Sequence, residues 1–295
     1  MRSNEEFLMD FWFSYVTLAS IYVLLGLSTN LLVGIAGIFS VSQAAVFGVG
    51  AYIVAYFLMN DVMSFLPAMV IAAVSCIALN ILVTLPALRV SGDYFVVTSF
   101  GIQLLATAVF TNWTDGTGGA NGLPGIPPPD LMGKVLESST QVVTLCVAGM
   151  GLGCLIFWLV MRAPFGRLLR AIREDEVAVA AAGKSVLRAK VSAAALAGAF
   201  AGTAGGLYAT FLSFIDPSSF DLDASILLLT MVVVGGARTL AGSIIGPFLL
   251  LALPQILTLV DIPTTIAAAA RQLMYGVLLI AFMMFRPQGL AGEKL

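Results

Sequence analysis

The chain has 295 residues, of which 60% are hydrophobic and only 10% charged, with a mean hydropathy of +1.02. A soluble globular domain is about a quarter charged, so this composition excludes a surface that water solvates. It leaves a lipid bilayer, crossed by helices of about 20 apolar residues that satisfy their own backbone hydrogen bonds. The formal net charge of −2 says little beside how the charge is distributed, and the absence of histidine removes the commonest metal ligand and general base.

The first ten residues, MRSNEEFLMD, carry three acids and one arginine. A cleaved leader begins basic and ends at small residues, so the apolar run that follows reads as a retained span. Nine apolar segments follow in order, at 12–36, 43–59, 64–88, 94–111, 140–161, 188–213, 223–237, 242–260 and 264–285. An all-α, polytopic helical bundle is therefore predicted as one domain over residues 1–295, without a separate soluble domain. Turn chemistry marks the breaks at Asn60-Asp61, Ser91-Gly92-Asp93, Asp216-Pro217 and Asp261-Ile262-Pro263. Cys76, Cys146 and Cys154 lie in apolar stretches without CxxC spacing and read as buried hydrophobes.

Small residues recur within the spans. Gly48, Gly50, Gly202, Gly205 and Gly206 read as points where helices approach closely. Two segments differ in kind. VGIAGIFSVSQ interrupts the first apolar stretch with Gly34, Gly37, Ser40, Ser42 and Gln43, and TMVVVGGARTLAGSIIG interrupts a late one with Gly235, Gly236 and Gly242. Glycine-broken segments in both halves point to discontinuous helices beside a transport pathway.

Charge orients the set. Residues 162–190 hold seven of the fourteen lysines and arginines, and basic loops stay on the cytoplasmic side. The loop at 112–139 and the acidic DPSSFDLD then fall outside, and Arg89, Arg238 and Arg286 inside. Asp61 and Asp261 fall outside, with the N-terminus outside and the C-terminus cytoplasmic. Every loop charge fits one alternation. Asn112-Trp113-Thr114 on the outer side also matches a glycosylation acceptor pattern, of a kind that recurs by chance.

Within the basic loop, Phe165, Leu168, Leu169 and Ile172 recur at helical spacing, while Arg167, Arg170 and Arg173 mark another face. Glu174, Asp175 and Glu176 precede an alanine-rich stretch and suit a helix N-terminus, and Gly183 is placed to end that helix. A solvated loop that only fixes topology explains the cations. It does not explain a short, alanine-faced, glycine-ended helix among them, which fits docking in another protein's groove. AVAAAGKS, from Ala178 to Ser185, imitates a phosphate loop, but mostly alanine replaces the flexible glycines and no strand is predicted before it. Any ATP must be handled by a partner.

Several ordered blocks carry a family likeness: GIAGIFSVSQAAVFGVGAY, LRVSGDYFVVTSFG, TGGANGLPGIP, FGRLLRAIREDEVAVAAAG, ILLLTMVVVGGARTLAGSIIGPFLL and FRPQGL. Together they resemble the permease subunits of bacterial ATP-binding-cassette importers for branched-chain amino acids, in the M-type of the paired H and M permeases. The resemblance implies a subunit without chemistry of its own in the bacterial inner membrane. It binds no cofactor; ATP and magnesium sit on two partner ATPase subunits. An H-type sister permease and an external or periplasmic amino-acid-binding protein complete the set, with no nucleic acid. It also implies that Glu176, Ala180 and Gly183 occupy coupling positions, with Arg167, Arg170, Arg173 and Glu174 in the same segment. Two positions depart from the family pattern: Gln43 stands where many relatives have histidine, and Leu104 where they often carry an acid.

Ser42, Gln43, Thr98, Ser99 and Gln103 are the candidates for lining a substrate pathway, against a competing role in hydrogen bonds between packed helices. Transport of urea or short amides is an alternative within the same architecture. A secondary transporter or channel would place ionisable residues in mid-membrane, and none is read well inside a predicted span. An intramembrane enzyme lacks a visible acid–base set.

Overall fold

The computed structural model describes residues 4–88, 92–131, 134–136, 138–259, 264–286 and 288–292. Helix α1 (Asn4–Thr29) runs into a π-helical turn at Asn30–Ile35, and α2 (Gln43–Met59), α3 (Phe65–Thr84) and α4 (Gly92–Asn112) follow. A short α5 (Thr114–Thr117) opens a loop that contains the two-residue strands β1 (Leu123–Pro124), β2 (Asp130–Leu131) and β3 (Lys134–Val135). Next come α6 (Ser139–Arg162), α7 (Pro164–Glu174), α8 (Glu176–Ala181) and α9 (Val186–Leu212). Strand β4 (Phe214–Ile215) precedes α10 (Leu222–Gly235), α11 (Leu240–Leu259) and α12 (Thr264–Phe285).

Each of the nine predicted apolar segments is a helix. Among the described residues, five are long and apolar enough to cross a membrane by length and composition: Phe11–Ile35, Phe65–Thr84, Tyr94–Asn112, Ser139–Arg162 and Val186–Leu212. Shorter apolar helices occupy Gln43–Met59, Leu222–Gly235, Leu240–Leu253 and Gln272–Phe282. One expectation is corrected. Arg271 falls in the second turn of α12, within its Thr264–Phe285 limits, so one ionisable residue does lie inside an apolar helix.

Helix α9 is the axis of the bundle and packs most extensively on α3 and α2. Its alanines and glycines make that possible, because only a thin helix fits between two others at short range. A Cβ built on Gly50 would lie 2.8 Å from Gly202 Cα, and one on Gly202 would lie 2.8 Å from Cys76 Cβ and 3.0 Å from the Ala72 carbonyl. The predicted packing glycines therefore sit at backbone-to-backbone crossings. In contrast, α3, α4 and α6 keep most of their apolar side chains outward, as a lipid-solvated surface requires.

The loops gather at two ends. At one, β1 pairs antiparallel with β4, and Asp130 Oδ1 accepts from the Phe65 N–H at 2.7 Å. This joins the loops after α2, α4 and α9. At the other, Leu290 and Ala291 N–H groups bond the Val234 and Gly235 carbonyls, each at 2.9 Å, beside the α7–α8 segment. The grouping is the one the charge alternation predicts. Arg89 and Asp261 lie outside the described residues.

Candidate functional site: a broken-helix core and an exposed helical segment

Both glycine-broken segments are real discontinuities. After the π turn the chain leaves helical geometry at Gly37, whose φ is +70°. It then runs through buried Ile38, Ser40, Val41 and Ser42 before α2 begins. Between α10 and α11 the break carries φ +117° at Gly236 and +76° at Arg238.

A helix that starts inside the protein leaves its first N–H groups without intrahelical partners. Ser42, the N-cap of α2, makes no side-chain cap bond, so other elements supply the acceptors. Ser225 Oγ on α10 accepts from Ala44 N–H at 3.2 Å, and Gln103 Oε1 on α4 accepts from Ala45 N–H at 3.0 Å. Gln103 Nε2 donates to the Phe220 carbonyl at 2.8 Å, and the Ser225 hydroxyl lies 3.1 Å from Gln103 Oε1. Ser99 Oγ accepts from Val41 N–H at 3.1 Å, and the Ser40 and Ser42 hydroxyls lie 3.0 Å apart. Gln43 Nε2 donates to Asn80 Oδ1 at 3.3 Å, while Asn80 Nδ2 donates to the Ala194 carbonyl at 2.8 Å. The Ser28 hydroxyl sits 3.0 Å from Gln43 Oε1 and 2.7 Å from the Ala197 carbonyl.

Four of the five predicted pathway residues thus converge on one polar girdle around the start of α2. Ser42, Gln43, Ser99 and Gln103 are each no more than 2% exposed, so no solute reaches them in this conformation. Thr98 does not join them. It is half-buried, and its hydroxyl returns to its own turn at the Tyr94 carbonyl. One residue along a helix rotates a side chain by about 100°, which separates Thr98 from Ser99. Leu104 is 48% exposed and faces away from the girdle.

Toward the end that carries β1 and β4, an aromatic cluster closes over the girdle. The Phe47 ring packs edge-on against Tyr208 and Phe220, both at 5.1 Å between centroids, and Tyr52 lies 4.9 Å from Phe110. Tyr52 and Phe110, with Tyr56, Phe57 and Trp113, also line a largely apolar cavity of about 510 Å³ that has Asp115 on its wall. A second cavity, of about 570 Å³, opens at the other end of the bundle.

Asn30 is a site residue that the sequence reading missed. Fully buried in the π turn, it donates to the Thr239 carbonyl at 2.9 Å and Ser243 Oγ at 2.7 Å, and accepts from Arg238 N–H at 2.8 Å. One amide side chain therefore clasps the two breaks together. The available signal was an asparagine immediately ahead of a glycine-broken segment within an apolar run.

The α7–α8 segment is built as its sequence suggests. Pro164 opens α7, whose Gly166, Leu169 and Ile172 are buried. Asp175 caps α8, accepting from Ala178 N–H at 2.9 Å, and Gly183 follows with φ +76°. No residue of α8 is buried, so Glu176 and Ala180 are presented outward with Arg167 and Glu174. Glu176 pairs with Lys190 at 2.6 Å. The three arginines do not share a face, since each step of three residues turns by about −60° and Arg173 ends about 120° from Arg167. Arg170 donates to the Met161 carbonyl at 3.1 Å, and Arg173 turns inward to the Gly34 carbonyl.

Residues 11–283 match the family model described as branched-chain amino acid transport system / permease component. The chain is 30% identical over 297 residues to the high-affinity branched-chain amino acid transport system permease protein LivM of Escherichia coli, covering 93% of this chain and 68% of that one. The same values hold for LivM of Salmonella typhimurium. It is also 29% identical over 163 residues to a probable branched-chain amino acid transport permease protein LivH of Methanocaldococcus jannaschii, covering 54% of this chain and 48% of that one. No solved structure matches the chain. An apolar helical bundle with two clasped helix breaks and an exposed helical segment at one end, matched along nearly its whole length, belongs to the family of branched-chain amino acid transport permeases.

Proposed function

We propose that this permease is the membrane subunit of an ATP-driven importer for leucine, isoleucine and valine delivered by an external binding protein. It works beside an H-type sister permease and two ATPase subunits. The observation that carries the coupling half is the α7–α8 segment: a capped helix with no buried residue, held between two apolar helices on the most basic loop of the chain. A helix of small residues with an exposed face fits a groove on a partner, and movement of that partner is then felt by α6 and α9.

The transport half is supported by the closed core. An apolar cavity with one carboxylate at the β1–β4 end suits a branched side chain with an ammonium group. The cavity at the other end has Arg173, Glu176 and Lys190 among its lining residues. The aromatic cluster and polar girdle between them must part for a substrate to pass. Nucleotide binding favours one arrangement only if the ATPases bind it differently in the two states.

Co-expression with candidate ATPase subunits, an H-type permease and a binding protein, followed by uptake in reconstituted vesicles, tests this. Branched-chain amino acids should compete for uptake and urea or short amides should not; the reverse pattern defeats the substrate assignment. Cysteine labelling of Ser185→Cys only from the outside would defeat the orientation.

A further inference from the structure

Arg173 stands, partly exposed, at the last turn of α7, where Arg167 faces solvent and Arg170 returns to the Met161 carbonyl of α6. Its guanidinium donates instead to the Gly34 carbonyl inside the π turn. That carbonyl is available because the helix breaks there, leaving its last carbonyls without intrahelical partners. The aliphatic stem of Arg173 occupies the space beside Gly37, where a built Cβ would lie 3.0 Å from Arg173 Cγ. Gly37 has φ +70°, a conformation that a residue with a side chain adopts only at a cost. Both glycines of the first break are therefore in contact with one side chain of the α7–α8 segment.

The contact does not end at Gly34. A side chain at Gly34 would collide with Asn30 Oδ1 and come within 3.0 Å of Arg238 N, and Asn30 holds Thr239, Ser243 and Arg238 of the second break. Partial desolvation where the guanidinium meets the π turn, with the Arg238 charge adding to it, pulls Arg173 below the ordinary guanidinium range, although the residue as a whole stays exposed. Beside this chain of contacts lies the cavity of about 570 Å³, whose walls include Val33, Gly37, Phe39, Arg173, Glu176 and Val233. Close-packed elements move only where space exists, and this space adjoins both breaks and α7.

We propose that Arg173 is the positioning residue through which movement of the α7–α8 segment reaches the backbone of both discontinuous spans. Shifting α7 drags the Gly34 carbonyl or releases it, and Asn30 passes the displacement to the second break. The inference rests on the reading of α7–α8 as the ATPase docking segment. It adds that docking and transmission are separate: the outward residues grip the motor, and Arg173 grips the first helix break.

The test uses the complete transporter in vesicles, with ATP hydrolysis and amino-acid uptake measured together and ATPase copurification as the docking readout. Arg173→Met keeps the stem and removes the charged hydrogen bond, an interaction whose loss is worth about tenfold or more. ATP consumed per amino acid imported should rise about tenfold while the ATPases still copurify, and Arg173→Lys should restore much of the coupling. Gly37→Ala, which displaces the stem but keeps the guanidinium, should shift the same ratio in the same direction, and it carries the test if the methionine variant assembles poorly. An unchanged ratio in Arg173→Met and Gly37→Ala, with copurification intact, overturns the role of Arg173. Loss of ATPase copurification in Arg173→Lys as well would make Arg173 a docking residue and also overturn it. Failure of the unmodified chain to copurify with ATPases would instead overturn the docking reading, and this inference with it.

Discussion

Gln103 gives the sharpest test of how the start of α2 is held. Its amide oxygen accepts from Ala45 N–H at 3.0 Å and the Ser225 hydroxyl at 3.1 Å, and its amide nitrogen donates to the Phe220 carbonyl at 2.8 Å. Gln103→Leu keeps the approximate size and deletes all three. Polar side-chain contacts in membrane proteins contribute about 0.6 kcal/mol each on average, so the bonds themselves account for about 2 kcal/mol. Ala45 is only 2% exposed, and leaving its N–H unpaired adds about 1–3 kcal/mol. The expected loss is about 3–5 kcal/mol. It should be read by thermal and denaturant unfolding of the purified protein in detergent, beside Thr98→Val. The Thr98 hydroxyl serves only its own helical turn in this structure, and its removal should stay within about 0.5 kcal/mol. A Gln103→Leu protein as stable as the parent would refute the capping role. Unchanged stability with altered substrate preference would place Gln103 on the pathway instead.

Gly202→Val should destabilise the bundle by about 1–3 kcal/mol through overpacking, because the Ala72 carbonyl and Cys76 Cβ cannot both retreat; an unchanged unfolding midpoint contradicts this. Asn30→Leu removes the clasp between the breaks and should speed hydrogen exchange at Arg238 relative to residues in the middle of α9; equal protection before and after would show that the breaks hold without it. Asp175→Ala should cost about 1 kcal/mol of local helix stability, visible as faster protease cleavage between α7 and α9 with the spans unaffected. Burial raises the Asp221 carboxyl above its ordinary value of 3.8 despite the bond it accepts from Ala224 N–H. The folded chain therefore binds that proton more tightly than the unfolded one, and this group's contribution to stability falls as pH rises from 3.8 through the raised value. Asp221→Asn should flatten that part of the pH profile and be more stable than the parent at pH 7; a profile that keeps its slope points to another group.

The polar residues of the first break illustrate what a sequence can and cannot say. Ser42, Gln43, Ser99 and Gln103 stand out in an apolar chain because a buried polar group demands a partner. That demand is local, so the residues could be picked without a structure. Which groups they satisfy is not local. Gln103 serves an N–H that lies 58 residues earlier and a carbonyl 117 residues later. Asn30 was passed over for the same reason, since its partners are more than 200 residues away. Arg173 was grouped with Arg167 and Arg170 by spacing, whereas rotation about the helix brings its guanidinium to the Gly34 carbonyl.

The sequence by itself determined the solvent, the nine helical segments, both helix breaks and the capped segment at 164–183. Hydropathy, glycine, proline and capping residues act within a few positions of themselves, so their consequences are written in order along the chain. Only the tertiary structure decided that the two breaks meet across Asn30, that α9 lies at the centre, and that the girdle is sealed. Those outcomes depend on which surfaces approach closely enough to exclude solvent and pair buried groups, and that is a property of distances between segments far apart in the chain.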